Sequence, residues 1–283
     1  MTPIRLGAVN YLNARPLVHG LDRRPDLFAL RFDPPSHCAV LLHENAIDVG
    51  MIPAIEYCRG PEYRIVPGMA IASARTVASV ALFTRKPLRE VRTVAADTSS
   101  RTSNALLRIL CAERFGLDPE YRPMPPDPDR MLAACDAALL IGDPALYLDP
   151  AAKGVEKIDL GEQWTDMTGL PFVWAFWAGR PGVLPLEASQ ALTEARDSGV
   201  AASDQIAAEY CGPALAALGG AYLRENIEYG LGGQEMAGLR RFYELASRHR
   251  LIDAPREPLF YPVDGLVADD LETSALDKLG TGR

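Results

Sequence analysis

The sequence predicts an α/β protein of two lobes, and three observations carry that prediction. Short apolar, β-branched segments alternate with helical patterns from end to end, as in a largely parallel sheet flanked by helices. The middle third, roughly residues 86–175, reads as a compact α/β unit of its own. Two extended segments, 79–84 and 172–177, are placed to carry the chain out of the first lobe and back. The expected partition is 1–85 plus 176–283 for a discontinuous first lobe and 86–175 for the second, with a central cleft between them.

The first strand is Ile4 to Val9. It runs into Asn10-Tyr11-Leu12-Asn13-Ala14-Arg15-Pro16-Leu17, where two amides and a tyrosine precede a proline at a helix start. That is how a site at the carboxyl end of a parallel strand is built. A helix is expected over Ala14 to Leu21. Pro35-Ser36 reads as the N-cap of a helix through Leu42, followed by a strand from Asp48 to Ile52. Ser79 to Thr84 is a strand closed by Lys86-Pro87. Thr93 to Ala96 is another, leading into Asp97-Thr98-Ser99-Ser100-Arg101-Thr102-Ser103. The helix from Asn104 to Phe115 carries Leu106, Leu107, Leu110 and Cys111 at helical spacing. The proline-rich residues 119–128 are expected to form a loop. Ala137 to Ile141 is a buried strand ending at Gly142-Asp143-Pro144, where Asp143 reads as an N-cap with proline at the first helical position. Phe172 to Trp177 is an aromatic strand. After Gly182 the pattern is mainly helical, with Met236, Leu239, Tyr243 and Ala246 as a core stripe, and from about Asp269 the polar end is expected to fray.

Composition excludes several function classes. Of 283 residues, 48% are apolar and 23% charged, an ordinary globular balance. No apolar run approaches the roughly 20 residues of a membrane helix. A net charge of −8 argues against a nucleic-acid surface and gives an anionic ligand no long-range attraction, so any anion site must be made locally. Five scattered cysteines and no leader pattern before the first strand lead to the expectation of reduced thiols in the cytoplasm. The four histidines form no cluster with metal-ligand spacing, so no metal is expected. No hydrolase elbow, phosphate loop or dinucleotide fingerprint is present. Gly230-Leu231-Gly232-Gly233 reads as a turn.

Three expected helix entrances carry polar residues: Asn10/Asn13, Ser36, and Ser100 to Ser103. Helix N-termini offer unpaired N–H groups and partial positive charge to an anion. Ser36, Thr102, Ser103 and Asp143 read equally as simple caps. The run 98–103 exceeds what one cap requires, and Arg101 within it is suited to a bidentate carboxylate contact. Glu56 and Tyr57 either line the cleft or only pack. Trp164, Trp174 and Trp177 are expected as hinge and core aromatics, and His19 and the cysteines as structural. Read from the residues alone, this is a cytosolic two-lobed binder of a small anion.

A set of motifs then identifies a family. Val9-Asn10-Tyr11-Leu12-Asn13 with Pro16-Leu17, Asp48-Val49-Gly50-Met51-Ile52-Pro53 with Glu56-Tyr57, and Ser100-Arg101-Thr102-Ser103 occur in order. Ala138-Leu139-Leu140-Ile141-Gly142-Asp143 and Trp164-Thr165-Asp166-Met167-Thr168-Gly169-Leu170-Pro171-Phe172-Val173 follow. Together they resemble the chorismate dehydratases of the futalosine route to menaquinone. The resemblance implies a periplasmic-binding-protein-like (type II) fold of two α/β lobes, used as a cytoplasmic enzyme. It implies conversion of chorismate, the small-molecule partner, to 3-[(1-carboxyvinyl)oxy]benzoate and water, with no cofactor, no metal, no nucleic acid and no membrane.

By position the resemblance points to Asn13 and Ser79 as catalytic. Asn10, Tyr11, Ser36, Ser100, Arg101, Thr102, Ser103 and Asp143 would bind substrate. A neutral amide is a poor base, so Asn13 is expected to orient the substrate or the leaving hydroxyl, and the enolpyruvyl carboxylate of the substrate to take the C3 proton. Two other readings stay open. One is the dihydroxynaphthoate synthase of the same pathway, whose Ser-Pro-Cys-Pro-type opening is replaced here by Asn10-Tyr11-Leu12-Asn13. The other is a non-catalytic small-anion solute-binding protein. The oligomeric state has no sequence signal.

Overall fold

The computed structural model describes residues 2–262. In chain order the strands are β1 (Ile4–Val9), β2 (Phe28–Asp33), β3 (Val49–Pro53), β4 (Arg64–Ile65), β5 (Ile71–Ser73), β6 (Val80–Thr84), β7 (Thr93–Asp97), β8 (Glu120–Met124), β9 (Ala137–Ile141), β10 (Glu156–Asp159) and β11 (Phe172–Gly179). They form two sheets. One has the order β2-β1-β3-β11-β4, with β5 also on β11; the other is β10-β6-β9-β7-β8. β6 thus hydrogen-bonds within the second sheet and β11 within the first.

Both sheets are mixed rather than largely parallel. β1, β2 and β3 run parallel, but β11 is antiparallel to β3. β7 is parallel to β8 and β9, but β6 is antiparallel to β9 and β10. The strands β3, β6, β9 and β11 are buried along their whole length, because helices cover both faces, and they read as continuous apolar runs. Within the first sheet, the register pairs Val9 with Asp33, so the loops after β1 and β2 leave from the same edge. In the second, β7 pairs with β9 in parallel and Val80 opposite Ile141, so β7 and β9 end where β6 begins. The carboxyl ends of the parallel strands in the two sheets meet, and that junction is where ligands bind in open α/β sheets.

Three local expectations are corrected. Residues 119–128 are not simply a loop, since β8 pairs in parallel with β7 over five residues. Pro123 is tolerated there because β8 lies at the sheet edge, where a missing N–H costs no ladder bond. The segment expected as a helix from Ala14 to Leu21 is a 3-10 turn, Leu12–Val18, with Pro16 inside it. A short 3-10 run accommodates a proline that would break the i−4 ladder of an α-helix. The helix expected from Asn104 instead begins at Thr102; it is α-helical to Leu110 and widens to a π turn over Cys111–Phe115.

The helices are α1 (Pro35–His43), α2 (Glu56–Arg59), α3 (Thr102–Leu110), α4 (Pro128–Ala134), α5 (Gly142–Leu146), α6 (Pro150–Lys153), α7 (Leu160–Thr168), α8 (Leu186–Ala201), α9 (Ser203–Cys211), α10 (Ala216–Ala221) and α11 (Gly233–Arg248). α8 to α11 bear out a helical last third. Leu239, Tyr243 and Ala246 of α11 are buried, and Met236 packs partly exposed beside them. Four of the five cysteines are buried and all are free. Among the described residues no helix is long and apolar enough to cross a membrane. The end from Asp269 lies outside the described residues.

Candidate active site between the lobes

A cavity of about 60 Å³ opens where the strand ends converge. From the first sheet and its loops it is lined by Val9, Tyr11, Asn13, Pro35, Pro53 and Trp174, and from the second by Val80, Ser100, Thr102, Ser103, Ile141 and Gly142. The wall is apolar with a few convergent polar groups, and none of its lining residues is charged.

Asn13 is set by the 3-10 turn, and its main-chain carbonyl accepts from the Tyr229 hydroxyl at 3.0 Å. Its side-chain Oδ1 is buried and has no hydrogen-bond partner. Buried carbonyl oxygens are seldom left so, and the residue that carries this one lines the cavity. Tyr11 lies flat against the turn at Gly142, whose φ of +61° suits glycine. A Cβ at Gly142 would stand 2.6 Å from the Tyr11 ring. The Tyr11 hydroxyl meets Ser99 Oγ at 3.3 Å, and Ser99 Oγ donates to Asp97 Oδ1 at 2.7 Å. Burial pushes the Tyr11 phenol above its ordinary range, reinforced by the Asp97 and Asp143 carboxylates and only partly offset by Ser99, so it is a neutral hydroxyl near pH 7. Burial likewise raises the Asp97 carboxyl against the pull of the Ser99 hydroxyl and N–H.

The opposite wall is the N-terminus of α3. Ser100, Thr102 and Ser103 all reach it. Ser100 Oγ accepts from the Ser103 N–H at 3.3 Å, and Thr102 Oγ1 accepts from Ile55 N at 3.2 Å across the cleft. Both hydroxyls therefore cap main-chain donors as well as facing the cavity. Arg101 does not. Its guanidinium donates to Glu56 Oε2 at 2.5 Å, and Arg101 is not among the residues that line the cavity. Glu56 is 1% exposed and also receives His43 Nε2 at 3.1 Å and Arg59 Nη1 at 3.0 Å. Burial would raise its carboxyl, but His43, Arg101 and Arg59 together hold it down at about 2.

Four more expected contacts stand off the wall. Asp143 is not an N-cap: α5 begins at Gly142 with Ile141 as cap. Its carboxylate instead accepts from Leu12 N at 3.2 Å and the Tyr210 hydroxyl at 2.5 Å, joining the second sheet's loop to the first. Ser36 makes no cap bond, because Pro34 occupies that position; its N–H donates to Ser99 O at 3.1 Å. Asn10 is exposed, and its carbonyl accepts from Tyr210. Ser79 is 1% exposed, and its Oγ accepts from the Tyr222 hydroxyl at 2.7 Å. Ser79 is held by a tight loop. Ala78 has φ +61°, Val77 and Ala78 donate to the Asp159 carboxylate, and Lys157 donates to Ala78 O at 2.6 Å. That left-handed alanine is a strained conformation kept by its surroundings.

Trp174 on the wall and Tyr222 behind it escaped the sequence reading. Trp164 and Trp177 are fully buried as expected, but Trp174 lines the cavity, its Nε1 donating to Ser73 Oγ at 3.1 Å. Tyr222 lies in the helical third, 143 residues from the serine that it meets.

The comparisons with known proteins agree with this architecture. Several solved structures share the fold at low identity. An Archaeoglobus fulgidus protein superposes with a TM-score of 0.70 at 18% identity, covering 89% of this chain and 99% of that one. The alkanesulfonate-binding protein of Xanthomonas axonopodis pv. citri does so at 0.67 and 18%, covering 92% and 96%. A Candida albicans protein described as having the generic periplasmic binding protein fold does so at 0.60 and 11%, covering 94% and 100%. The fold is therefore that of the periplasmic binding proteins, with two α/β lobes. A protein named chorismate dehydratase from Thermus thermophilus is 31% identical over 280 residues, which is 93% of this chain and 100% of that protein. The profile of a family described as menaquinone biosynthesis matches residues 4–248, and the chain belongs to that family.

Proposed function

We propose that the chain is a chorismate dehydratase, a carbon–oxygen lyase acting in the cytoplasm. The observation that carries the reading is the match to the Thermus thermophilus chorismate dehydratase along that protein's whole length. The cleft supports it. A small dianion suits a wall made from the N-terminus of a nine-residue helix and its hydroxyls, where N–H groups supply positive potential without charged side chains.

The chemistry asks little of the protein. The hydrogen at C3 of chorismate is acidic through the conjugated ring carboxylate, and loss of the C4 hydroxyl makes the ring aromatic. In the proposed course the enolpyruvyl carboxylate takes the C3 proton. The C3–H electron pair becomes the new ring π bond as the C4–O bond breaks. The departing hydroxide takes up the proton and leaves as water. The protein then has to orient the substrate, hold its carboxylates and keep bulk water out. Asn13 would touch the reacting end and orient the substrate or the leaving hydroxyl by hydrogen bonds. Tyr11, Ser100, Thr102 and Ser103 would face the rest. The lobes of the proposal follow the partition expected from sequence, 1–85 plus 176–283 and 86–175, except that the pairing of β6 and β11 favours moving 80–84 into the second lobe and 172–175 into the first.

Purified protein mixed with chorismate, followed by ultraviolet absorbance and product mass, tests this. Loss of one water with a new aromatic spectrum is expected. Saturable binding with chorismate unchanged would make the chain a binder and end the enzyme reading.

A further inference from the structure

We propose that Asp143 is a positioning residue of this enzyme: from the second sheet it caps the turn that carries Asn13, so that Asn13 is set only when the two sides of the cleft are together. The effect on turnover rests on the chorismate dehydratase reading; the geometry does not. The first N–H groups of a helical turn have no partner within it. In the turn Leu12–Val18, Tyr11 stands at the N-cap and makes no side-chain cap bond. The Leu12 N–H donates across the cleft instead, to Asp143 Oδ1 at 3.2 Å. Leu12 is fully buried, so water is no substitute for that acceptor. Asn13 is the next residue, and its own carbonyl accepts from the Tyr229 hydroxyl at 3.0 Å. The Leu12-Asn13 unit is thus held by its N–H from the second sheet and by its C=O from the segment before α11.

Asp143 is itself fixed. The Tyr210 hydroxyl of α9 donates to its other oxygen, Oδ2, at 2.5 Å and lies 2.9 Å from Asn10 O. Burial pushes the Tyr210 phenol up, helped by the bond to Asp143 and its charge, so the proton stays on the tyrosine. Gly142, just before Asp143, packs against the Tyr11 ring. One helical turn later, the Tyr147 hydroxyl meets Cys211 Sγ of α9 at 3.0 Å. Segments 10–12, 142–147 and 210–211 therefore interlock. Asp143 is not on the cavity wall and both its oxygens are engaged, so it acts on the reaction through the turn. The cavity of about 60 Å³ is far below the roughly 300 Å³ at which ligand pockets begin. The cleft must widen to admit a substrate, and parting the two sheets breaks the Leu12–Asp143 bond. Closing remakes it, and the turn regains its cap with the substrate inside.

The test compares the full chain with Asp143→Ala and Asp143→Asn. Alanine removes the cap and is expected to lower kcat for chorismate by about 10- to 100-fold, with KM within about twofold. Asparagine keeps the network without the charge. Its Oδ1 accepts from Leu12 N, its Nδ2 donates to the Tyr210 oxygen, and the Tyr210 proton turns to Asn10 O. It is therefore expected to recover most of the lost kcat. Asparagine as slow as alanine would mean that Asp143 works by its charge or touches substrate, and would overturn the proposal. So would wild-type kcat in Asp143→Ala. A second readout does not need turnover. Hydrogen exchange at the Leu12 amide, followed by NMR, is expected to be about fivefold faster or more in Asp143→Ala, the factor for a lost cap bond, and close to wild type in Asp143→Asn. Unchanged exchange in Asp143→Ala would show that the cap is absent. Faster exchange, with wild-type protein leaving chorismate intact, would keep the cap and end the dehydratase reading. Should Asp143→Ala not fold, Tyr210→Phe frees the carboxylate from its other side and is expected to speed Leu12 exchange in the same direction; unchanged exchange there overturns the proposal.

Discussion

Replacing Glu56 by glutamine tests the buried ion cluster behind α3. The substitution keeps the shape of the side chain and removes the charge that His43, Arg59 and Arg101 share. Glu56 is held at about 2 against an ordinary value of 4.5. At about 1.4 kcal/mol per pKa unit, that gap corresponds to about 3 kcal/mol of stabilisation in the ionised form. Breaking a buried pair from one side costs about 3–5 kcal/mol. The lower end applies here, because the Arg59 and Arg101 side chains are 39% and 31% exposed and water relieves part of the loss. Urea unfolding followed by tryptophan fluorescence at pH 7 is therefore expected to show Glu56→Gln less stable by about 3 kcal/mol. The folded-state value is depressed, so the contribution is complete above pH 4.5 and disappears as pH falls towards 2. The gap between the two proteins must narrow over that same interval. A Glu56→Gln protein within about 0.5 kcal/mol of wild type at pH 7, the scatter of ordinary surface substitutions, would refute the reasoning. So would a gap that stays constant into acid.

Asn13→Leu removes the amide of a cavity-lining residue while keeping most of the volume. We expect kcat for chorismate to fall by about 100-fold or more, with the unfolding curve little changed. Gly142→Ala meets both a left-handed backbone and the Tyr11 ring, so we expect a loss of about 2 kcal/mol in urea unfolding together with weaker substrate binding. Thr102→Val leaves Ile55 N without its acceptor across the cleft and takes one hydroxyl from the wall. We expect a loss of about 1–3 kcal/mol in stability and a higher KM, read by the same unfolding and steady-state assays.

What was legible in the sequence was local. The apolar runs of β7, β9 and β11 and the polar turn after β1 announce themselves within a few residues, and they suffice to locate the strand ends where the cavity forms. Periodicity says nothing of direction, so the antiparallel settings of β6 and β11 went unread. Asp143 before Pro144 has the local signature of a cap, but its partners, Leu12 and Tyr210, lie 131 and 67 residues away. Arg101 sits in a hydroxyl-rich run that looks made for a carboxylate. It does bind one, but the carboxylate is Glu56, 45 residues earlier in the chain. Pro123 disguised an edge strand, since proline marks a loop unless the chain beside it leaves one face unpaired. Trp174 differs from Trp177 by three positions in one strand, and only the way the sheet faces the cleft separates cavity wall from core. Tyr222 had no motif around it to read.

Because Arg101 is spent on Glu56, the cavity wall holds no cationic side chain, while the protein as a whole carries a net charge of −8. A dianionic substrate must approach this surface against its field and gains attraction only at the last few ångströms, from the N–H groups of α3. Salt would then act in the unusual direction. Raising ionic strength from low to physiological values screens the repulsion, whereas the short contacts inside the cleft are hardly screened. The association rate for chorismate is expected to rise with salt in stopped-flow measurements, where an arginine-lined anion site would show a fall.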